Sequence, residues 1–195
     1  KNIAFDQLEI FQRKGKKVVQ SKFYSINKIN RLDKKKLTAI KRDLKNITST
    51  RKKLFNFEFG DPKIMGILNV TPDSFSDGGL FLNKQKALNH ANQMLKNGAS
   101  IIDIGGESTR PGSVTINEKV EWKRIKSIII KLKKKFPKTT LSLDSRKSYV
   151  IKKGIENKVD IINDVSGLNF DKNTFNVINS NRIPFILHRM QGTPN

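Results

Sequence analysis

From residue 63 onward, short runs of apolar and β-branched residues alternate with stretches whose apolar residues recur every three or four positions. Five strands can be placed in this pattern, at 64–70, 100–104, 140–144, 160–163 and 184–188. Four helices are predicted between them. This alternation is typical of parallel βα units, because two parallel strands need a long crossover and a helix supplies it. The pattern therefore predicts an α/β fold with a parallel sheet.

The predicted helices carry their own start and stop signals. Asn83 is a candidate N-cap of the first helix and Gly98 its stop, and a Thr115-x-x-Glu118 capping box opens the second. Two shorter helices are predicted near 147–157 and 171–179. The inner faces of the first two helices are predicted to hold Ala87, Leu88, Ala91, Met94 and Leu95, and Ile125, Ile128, Ile129, Leu132 and Phe136.

Each predicted strand is followed by a loop dense in Asp, Asn, Gly, Ser, Thr or Arg. These loops are NVTPDSFSDGG, GGESTRPGS, DSRK, NDVSG and HRMQGTP, whereas loops at the opposite strand ends, such as NGAS and NKVD, are chemically plain. In (β/α) barrels the active site is built from the loops at the C-terminal face. A doubly wound sheet would place its ligand at one switch point instead. We therefore predict a TIM-type (β/α)8 barrel, of which this chain holds about the first five βα units.

Residues 1–60 differ in composition and form a predicted basic N-terminal appendage, followed by a partial barrel domain at 61–195. The appendage begins with mixed apolar and polar residues and a basic stretch. A helix is predicted after Asp33 as N-cap, and a short strand and turn over 52–62. The apolar residues of the start and of the helix are Ile3, Phe5, Leu8, Ile10 and Phe11, and Leu37, Ile40, Leu44 and Ile47.

The formal net charge of +22 raises the question of nucleic-acid or anionic-lipid binding. The excess is spread along the chain: residues 1–63 carry 18 Lys and Arg against 6 Asp and Glu, and the remaining 132 carry 21 against 11. The sequence has no interleaved aromatic platform, zinc-finger spacing or RNP-like motif. We therefore do not expect nucleic-acid binding, and the basicity also suits an enzyme of diphosphates and carboxylates.

The sequence carries no signal for a membrane or for export. No apolar run approaches the roughly 20 residues that span a bilayer, and the N-terminus lacks the pattern of a secretory signal. The absence of cysteine excludes disulfides, thiolate metal sites and cysteine nucleophiles. A cytoplasmic protein is expected.

Two strings in the chain resemble the signatures of the dihydropteroate synthase family. They are IMGILNVTPDSFSDGG at 64–79 and DIGGESTRPGS at 103–113, and the resemblance continues through LSLDSRK, IINDVSG and ILHRMQGTP. It thus covers about 63–195. The family, a target of sulfonamides, condenses a 7,8-dihydropterin-6-ylmethyl diphosphate with 4-aminobenzoate to give dihydropteroate and diphosphate in folate biosynthesis. The resemblance implies a transferase with these two small-molecule substrates.

The resemblance also implies roles in the first loop. Asn69 would help to hold the Mg²⁺ that binds the substrate diphosphate, and an amide oxygen suits this hard cation. Asp77 would stabilise positive charge on the pterin methylene, and Phe75 would form a wall of the aminobenzoate pocket. Outside the signature, a strand-ending Asn would be interpreted as a turn residue.

Further roles follow for the later loops. Thr109, Arg110 and Pro111 would bind the substrate, with Arg110 pairing to the diphosphate and stabilising its departure. Asp144 and Asn163 end consecutive strands and would bind the amino-pyrimidinone edge of the pterin. Without the flanking signatures, a structural cap would be an equal interpretation of the strand-ending Asp.

Some residues receive weaker assignments. Asp103 and Asp164 are expected to support the site rather than to touch a ligand. Many relatives have Met-His-Met-Gln-Gly after the fifth strand, where this chain has LHRMQG, so its histidine is displaced by one. No role is assigned to His188 or Arg189.

Two alternatives remain open from the sequence. A pterin-binding methyltransferase of the same barrel family would share Asp144 and Asn163 but would not need TPDSFSDGG or STRPG. A non-catalytic, basic nucleic-acid-binding partial barrel is the alternative from another class. The family's later strands supply further site residues, so we expect 1–195 alone to be inactive. A homodimer of the full-length protein is left open.

Overall fold

The computed structural model describes residues 4–15, 18–49, 60–71, 80–108 and 113–188. The chain divides into two compact units, Lys1–Gly60 and Asp61–Asn195. Among the described residues, no helix combines the length and apolar character needed to cross a membrane.

The N-terminal unit contains a β-hairpin that the sequence analysis missed. Strand β1 (Gln7–Lys14) pairs antiparallel with β2 (Val18–Ser25). Gly15 follows β1 with a φ of 65°, a backbone conformation that favours glycine. Adjacent apolar residues in each strand, such as Ile10 and Phe11, interrupt the alternation by which an amphipathic strand is recognised.

A short 3-10 helix (Ile26–Arg31) and helix α1 (Lys34–Thr48) complete this unit. Asp33 is the N-cap of α1, as predicted, because its Oδ1 accepts a hydrogen bond from the Lys36 N–H at 2.9 Å. The predicted inner face of α1 is only partly correct: Ile40 is buried, but Ile47 is 77% exposed. The predicted strand at 52–59 lies outside the described residues.

Five parallel strands form the sheet of the second unit. They are β3 (Ile64–Asn69), β4 (Ala99–Gly105), β5 (Thr140–Asp144), β6 (Ile161–Asp164) and β7 (Phe185–Leu187). Each strand pairs with the one before it in the chain, so the spatial order equals the sequence order. A doubly wound sheet would reverse its order part-way. The predicted fold class, a (β/α) barrel arrangement, is confirmed.

One helix lies between each pair of consecutive strands. These are α2 (Leu80–Lys96), α3 (Glu118–Lys135), α4 (Ser148–Glu156) and α5 (Thr174–Asn181). Two predicted helix starts are wrong. Helix α2 begins at Leu80, so Asn83 lies inside it, and the N-cap of α3 is Asn117, whose side chain accepts from the Lys119 N–H at 2.8 Å. Thr115 instead accepts a hydrogen bond from Arg146.

The core lies between the helices and one face of this sheet. Side chains alternate along a strand, so residues two apart share a face. The helix-covered face carries Leu68, Ile102, Ile104, Leu141, Leu143 and Ile162. The predicted inner faces of α2 and α3 pack against it, with Met94, Leu95 and Phe136 partly buried and the other predicted residues fully so. This apolar layer leaves the opposite face of the sheet for the polar residues.

Replacing Ile128 by Ala should lower the free energy of unfolding by about 2–5 kcal/mol, because the side chain is fully buried and its removal leaves a cavity. Ile130→Ala in the same helix is the matched control, since Ile130 is 44% exposed. Chemical denaturation of both variants measures the difference. Equal losses would contradict the assigned core face of α3.

Candidate functional site

A row of polar residues crosses the carboxyl ends of four strands. The strand register pairs Asn69 with Gly105, Gly105 with Asp144, and Asp144 with Asn163. All four lie on the face opposite the helices, because their chain neighbours Leu68, Ile104, Leu143 and Ile162 belong to the core. Parallel pairing thus brings three predicted site residues from three different strands to one edge of the sheet.

Gly105 lies between two side-chain oxygens of the neighbouring strands. A Cβ atom placed on Gly105 would lie 3.3 Å from Asn69 Oδ1 and 3.3 Å from Asp144 Oδ2. The amide oxygen of one neighbour and the carboxylate oxygen of the other therefore approach the same bare stretch of backbone. Any larger residue would crowd both oxygens, so glycine allows the two side chains to approach each other across the row.

Asn163 is held at both ends of its side-chain amide. Its Nδ2 donates to Asp103 Oδ2 at 2.9 Å, and its Oδ1 lies 3.1 Å from His188 Nε2. Asp103 is 4% exposed, and its Oδ1 has no hydrogen-bond partner among the described residues, nor does the buried Ser142 Oγ. Unpaired buried acceptors are costly, so this corner of the row is suited to a ligand that donates N–H groups.

His188 is a residue that the sequence analysis left without a role. It directly follows β7, and its ring reaches the predicted pterin-binding residue Asn163. Its position in the sequence could have identified it as a site residue. His188 follows a predicted strand, and the residues that follow the other predicted strands are the polar residues assigned to the site. Because this histidine is displaced by one position from the histidine of the related motif, the sequence analysis gave it no role.

Burial, together with the negative charges of Asp103, Glu121, Asp164 and Glu107, raises the pKa of the Asp144 carboxyl to about 7. Removing a carboxylate from water disfavours its charged form, and nearby carboxylates add repulsion. Asp144 is therefore divided between protonated and ionised forms near neutral pH. A group of this kind can donate a hydrogen bond to a ligand nitrogen or accept one from it.

Asp164 has a structural role, as expected. Its carboxylate accepts hydrogen bonds from the Ser166 N–H and hydroxyl and from the Leu168 N–H, at 2.7 to 3.0 Å. These contacts shape the turn after β6. The side chain lies on the helix-covered face of the sheet, away from the row.

Five predicted site residues lie outside the described residues, namely Phe75, Asp77, Thr109, Arg110 and Pro111. Their roles stay predictions. Of the described residues, no group of three or more His, Asp or Glu side chains could by itself hold a metal ion. Any cation at the row would therefore take few ligands from the described part of the chain.

Comparison with known families settles what kind of protein has this arrangement. A family model described as pterin binding enzyme matches residues 65–195. The chain belongs to this family.

Known members of the pterin-binding family resemble the chain closely. The dihydropteroate synthase of Neisseria meningitidis serogroup C is 43% identical over 142 residues, which is 71% of this chain and 50% of that protein. The crystal structure of the Clostridium difficile dihydropteroate synthase in the presence of pteroic acid is 42% identical, with a TM-score of 0.67 over 73% of this chain and 54% of that one. The Xanthomonas albilineans enzyme with 4-aminobenzoic acid is 36% identical, with a TM-score of 0.64 over 68% and 48%. The chain thus spans about half the length of the relatives it matches.

Asp144→Asn should stabilise the protein at pH 8, measured without substrate. The pKa of about 7 in the folded protein lies above the ordinary value of 3.8 for an Asp carboxyl, so the parent protein with Asp144 loses stability as the pH rises from about 4 to about 7. Asn has no such loss, and the gain should reach at most about 4 kcal/mol above pH 7 and vanish near pH 4.

Asp171→Asn is the control with the opposite sign. Burial would raise the pKa of Asp171, but hydrogen bonds from Ser148 and Asn173 outweigh it and hold the pKa below its usual value. This variant should lose stability at neutral pH, and the loss should shrink as the pH falls below about 4. Denaturant midpoints measured from pH 8 to about pH 2 follow both variants. A pH-independent difference for Asp144→Asn would contradict the raised pKa.

Proposed function

We propose that this chain carries the pterin- and diphosphate-binding part of a dihydropteroate synthase, a transferase of folate biosynthesis. The observation that carries the proposal is the row Asn69, Gly105, Asp144 and Asn163 at the carboxyl ends of parallel strands. The reaction joins a dihydropterin-6-ylmethyl diphosphate to 4-aminobenzoate and releases diphosphate. The residue roles, the substrates and the assignment of 61–195 as the barrel domain and 1–60 as its appendage all belong to this proposal.

The pterin would bind at the Asn163 end of the row. Its amino-pyrimidinone edge presents N–H donors and a carbonyl acceptor, which match the carboxyl of Asp144 and the amide of Asn163. The unpaired Oδ1 of Asp103 would accept a further N–H, in place of the purely supporting role expected from the sequence. Because Asp144 is partly protonated near neutral pH, its carboxyl could donate a hydrogen bond to a ring nitrogen of the pterin or accept one from it. His188 would fix the orientation of the Asn163 amide.

The diphosphate would leave at the other end, toward the loops after β3 and β4. Thr109, Arg110 and Pro111 would bind the substrate there, and the Arg110 guanidinium would stabilise the charge of the departing group. As the C–O bond to the pterin methylene breaks, Asp77 would stabilise the positive charge on that carbon. The amine of 4-aminobenzoate, held against Phe75, would then form the new C–N bond. No side-chain nucleophile is required.

The residues present fit a magnesium ion at the Asn69 end. The Oδ1 atom of Asn69 lies close to the backbone of Gly105, and a neutral amide oxygen is a suitable ligand for a hard cation. Magnesium keeps several waters and shares substrate phosphates as ligands, so it would need only one or two ligands from the chain. When bound, the ion would neutralise charge on the diphosphate.

Named relatives support the choice of substrates. The Clostridium difficile enzyme was solved with pteroic acid and the Xanthomonas albilineans enzyme with 4-aminobenzoic acid. Membership of this family is also the basis for three further proposals. They are a cytoplasmic location, a homodimer of the full-length protein and the absence of a nucleic-acid partner. The pterin-binding methyltransferase is the less favoured candidate, because TPDSFSDGG and STRPG have no use in it.

The proposal is tested on the full-length encoded protein with synthetic dihydropterin diphosphate and 4-aminobenzoate. Diphosphate release that requires both substrates, with dihydropteroate as product, is expected. Methyl transfer from a folate donor without that condensation would favour the methyltransferase. Steeply salt-dependent duplex binding without pterin affinity would favour the nucleic-acid alternative.

Arg110→Ala should lower kcat by several tens-fold or more, because one strong contact to transition-state charge is worth roughly 2–4 kcal/mol. Arg42→Ala is the control, since Arg42 is an exposed residue of α1 paired only with its neighbour Asp43 in the described structure. Steady-state kinetics compares the two. An unchanged rate in Arg110→Ala would exclude the catalytic role.

Asn69→Ala should remove the part of the diphosphate affinity that depends on Mg²⁺. Calorimetry of dihydropterin diphosphate with and without Mg²⁺ measures this gain in the parent and the variant. Binding of a pterin without the diphosphate should be unchanged in the variant, because Asn69 lies at the far end of the row from Asn163. A Mg²⁺-dependent gain equal to that of the parent would refute the assignment of Asn69.

A further inference from the structure

The hairpin of the N-terminal unit presents one face away from its helix α1. In an antiparallel pair, directly opposed residues lie on the same face, and residues two apart along a strand share it. One face is centred on the opposed pair Phe11 and Ser21. It consists of Glu9, Phe11 and Arg13 in β1 and of Val19, Ser21 and Phe23 in β2. These six residues are called the Phe11 face below.

The other face of the hairpin packs toward α1. Ile10 and Tyr24 belong to that other face and are half-buried. They line one cavity together with Leu32 and with Ile40, which is buried in α1. Because successive side chains of a strand point to opposite faces, the Phe11 face is directed away from this helix.

The Phe11 face is apolar and exposed. Phe11 is 64% exposed, Phe23 63% and Val19 56%. The register makes Phe11 the diagonal neighbour of both Val19 and Phe23, and aromatic side chains reach one another across a diagonal. Three large apolar side chains therefore form one stripe across the two strands. Contiguous apolar surface of this kind marks interaction sites, whereas apolar residues exposed singly do not.

The charges on the Phe11 face balance, although the unit is strongly basic. Residues 1–60 carry 17 Lys and Arg against 5 Asp and Glu, and six of the basic residues belong to α1. The Phe11 face holds one charge of each sign, Glu9 and Arg13, and both are exposed. Glu9 would repel a polyanion such as RNA or an anionic membrane. A matching partner surface therefore carries apolar groups and one charge of each sign.

A second copy of the same face has this composition and also the right order. We consider a two-fold axis that lies between two such faces and runs across the strands through the pair of Phe11 and Ser21. Each β1 then lies over the other β1 in the opposite direction, so Glu9 lies over Arg13 of the second copy and Arg13 over its Glu9. An axis along the strands would instead place Glu9 over Phe23. Only the first arrangement pairs the charges.

The same arrangement also pairs the apolar residues. Phe11 lies over Phe11 of the second copy, and Val19 lies over its Phe23. Packed sheets are about 10 Å apart, and each α1 lies on the outer side of its own hairpin. The two basic helices are therefore farther apart than the Debye length of about 8 Å at physiological ionic strength. Their charge does little to oppose the contact.

We propose that the Phe11 face is a docking surface for a second copy of this chain, packed face to face about a two-fold axis across the strands. Two strands of eight residues each cover only about 27 Å by 10 Å, so the contact belongs to the weak class of interfaces. All six residues precede residue 65, where the match to the pterin-binding family begins. A failed dihydropteroate assay would therefore leave this surface unaffected.

Cross-linking of the full-length encoded protein is the first test. Ser21→Cys puts a thiol at the centre of the face, opposite the same thiol of the second copy. A bismaleimide that spans about 10 Å, the spacing of packed sheets, should join two chains through position 21, as identified by mass spectrometry of the linked peptides. Gln20→Cys is the matched control, because Gln20 is also exposed but lies on the other face. Equal yields at the two positions would overturn the proposal.

Charge reversal tests the two-fold arrangement itself. In the Ser21→Cys background, Glu9→Arg or Arg13→Glu places like charges over each other and should lower the cross-link yield by about threefold or more. An equimolar mixture of these two variants should recover the yield, with links between unlike chains, because each chain then carries the charge that the other lacks. A chain with both reversals should recover it as well. Failure of both recoveries would exclude this arrangement.

Phe11→Thr separates the contact from the stability of the hairpin. Because Phe11 is largely exposed and Thr also favours strands, this variant should keep the thermal midpoint of the parent. We expect it to lower the cross-link yield at position 21 by about threefold or more, since the central apolar contact is lost. An unchanged yield would contradict the proposal.

Anionic partners are tested with the same variants. Co-sedimentation with vesicles of anionic phospholipid and titration with single-stranded RNA compare the parent with Phe11→Thr and Glu9→Arg. We expect the parent and Phe11→Thr to bind these probes equally, because the Phe11 face does not recognise them. Weaker binding by Phe11→Thr and stronger binding by Glu9→Arg, with no excess of cross-links at position 21, would assign the face to a polyanion and overturn the inference.

Discussion

The parallel register of β3 to β7 is the constraint on which the rest of the site depends. Each strand is paired with its predecessor, so every strand ends at the same edge of the sheet, and residues far apart in the chain become neighbours. Asn69 and Asn163 are more than ninety positions apart in sequence, yet they lie in one cross-strand row. A shift of one residue in any pairing would turn the polar side chain of that strand toward the helices.

Because side chains alternate along each strand, the sheet has one apolar face, which the helices cover, and one polar face. On one face, Ile102, Ile104, Leu141 and Leu143 pack against the helices and exclude water. On the other face, Asp103 and Ser142 each hold a buried oxygen that has no hydrogen-bond partner among the described residues. The raised pKa of Asp144 reflects that arrangement. A site built to bind a polar ligand has buried polar groups without hydrogen-bond partners until the ligand binds. The apolar layer on the other face of the sheet supplies stability that compensates for this cost.

Loops and strands contribute differently to this site. Strand residues are positioned by the backbone ladder, which needs no side chain to hold it. The loop after β4 has no ladder, and its two ends are fixed instead by ionised side chains from α3 and from the loop after β5. Buried charges pair with strict geometry, because an unpaired one is costly. They are therefore suited to fixing Glu107 and Ile116, the residues on either side of this loop.

Much of the fold was predictable, because the alternation of strand and helix periods is local. All five parallel strands were placed to within one residue at each end, and Asp33 was correctly predicted to cap α1. Errors fell where two local signals compete. Thr115 and Asn117 are both capping residues, and only the Arg146 contact to Thr115 decides between them. The hairpin of the N-terminal unit was missed because paired apolar residues break its alternation.

The sequence by itself determined the succession of βα units, the residue types at each strand end and membership of a pterin-binding family, since all three are written in order along the chain. Only the tertiary structure decided that Asn69 and Asp144 approach each other beside Gly105, that His188 reaches Asn163, and that Lys147 joins Glu107 to Glu121. The physical reason is distance along the chain. Contacts between residues tens of positions apart depend on register and packing, which no local pattern encodes.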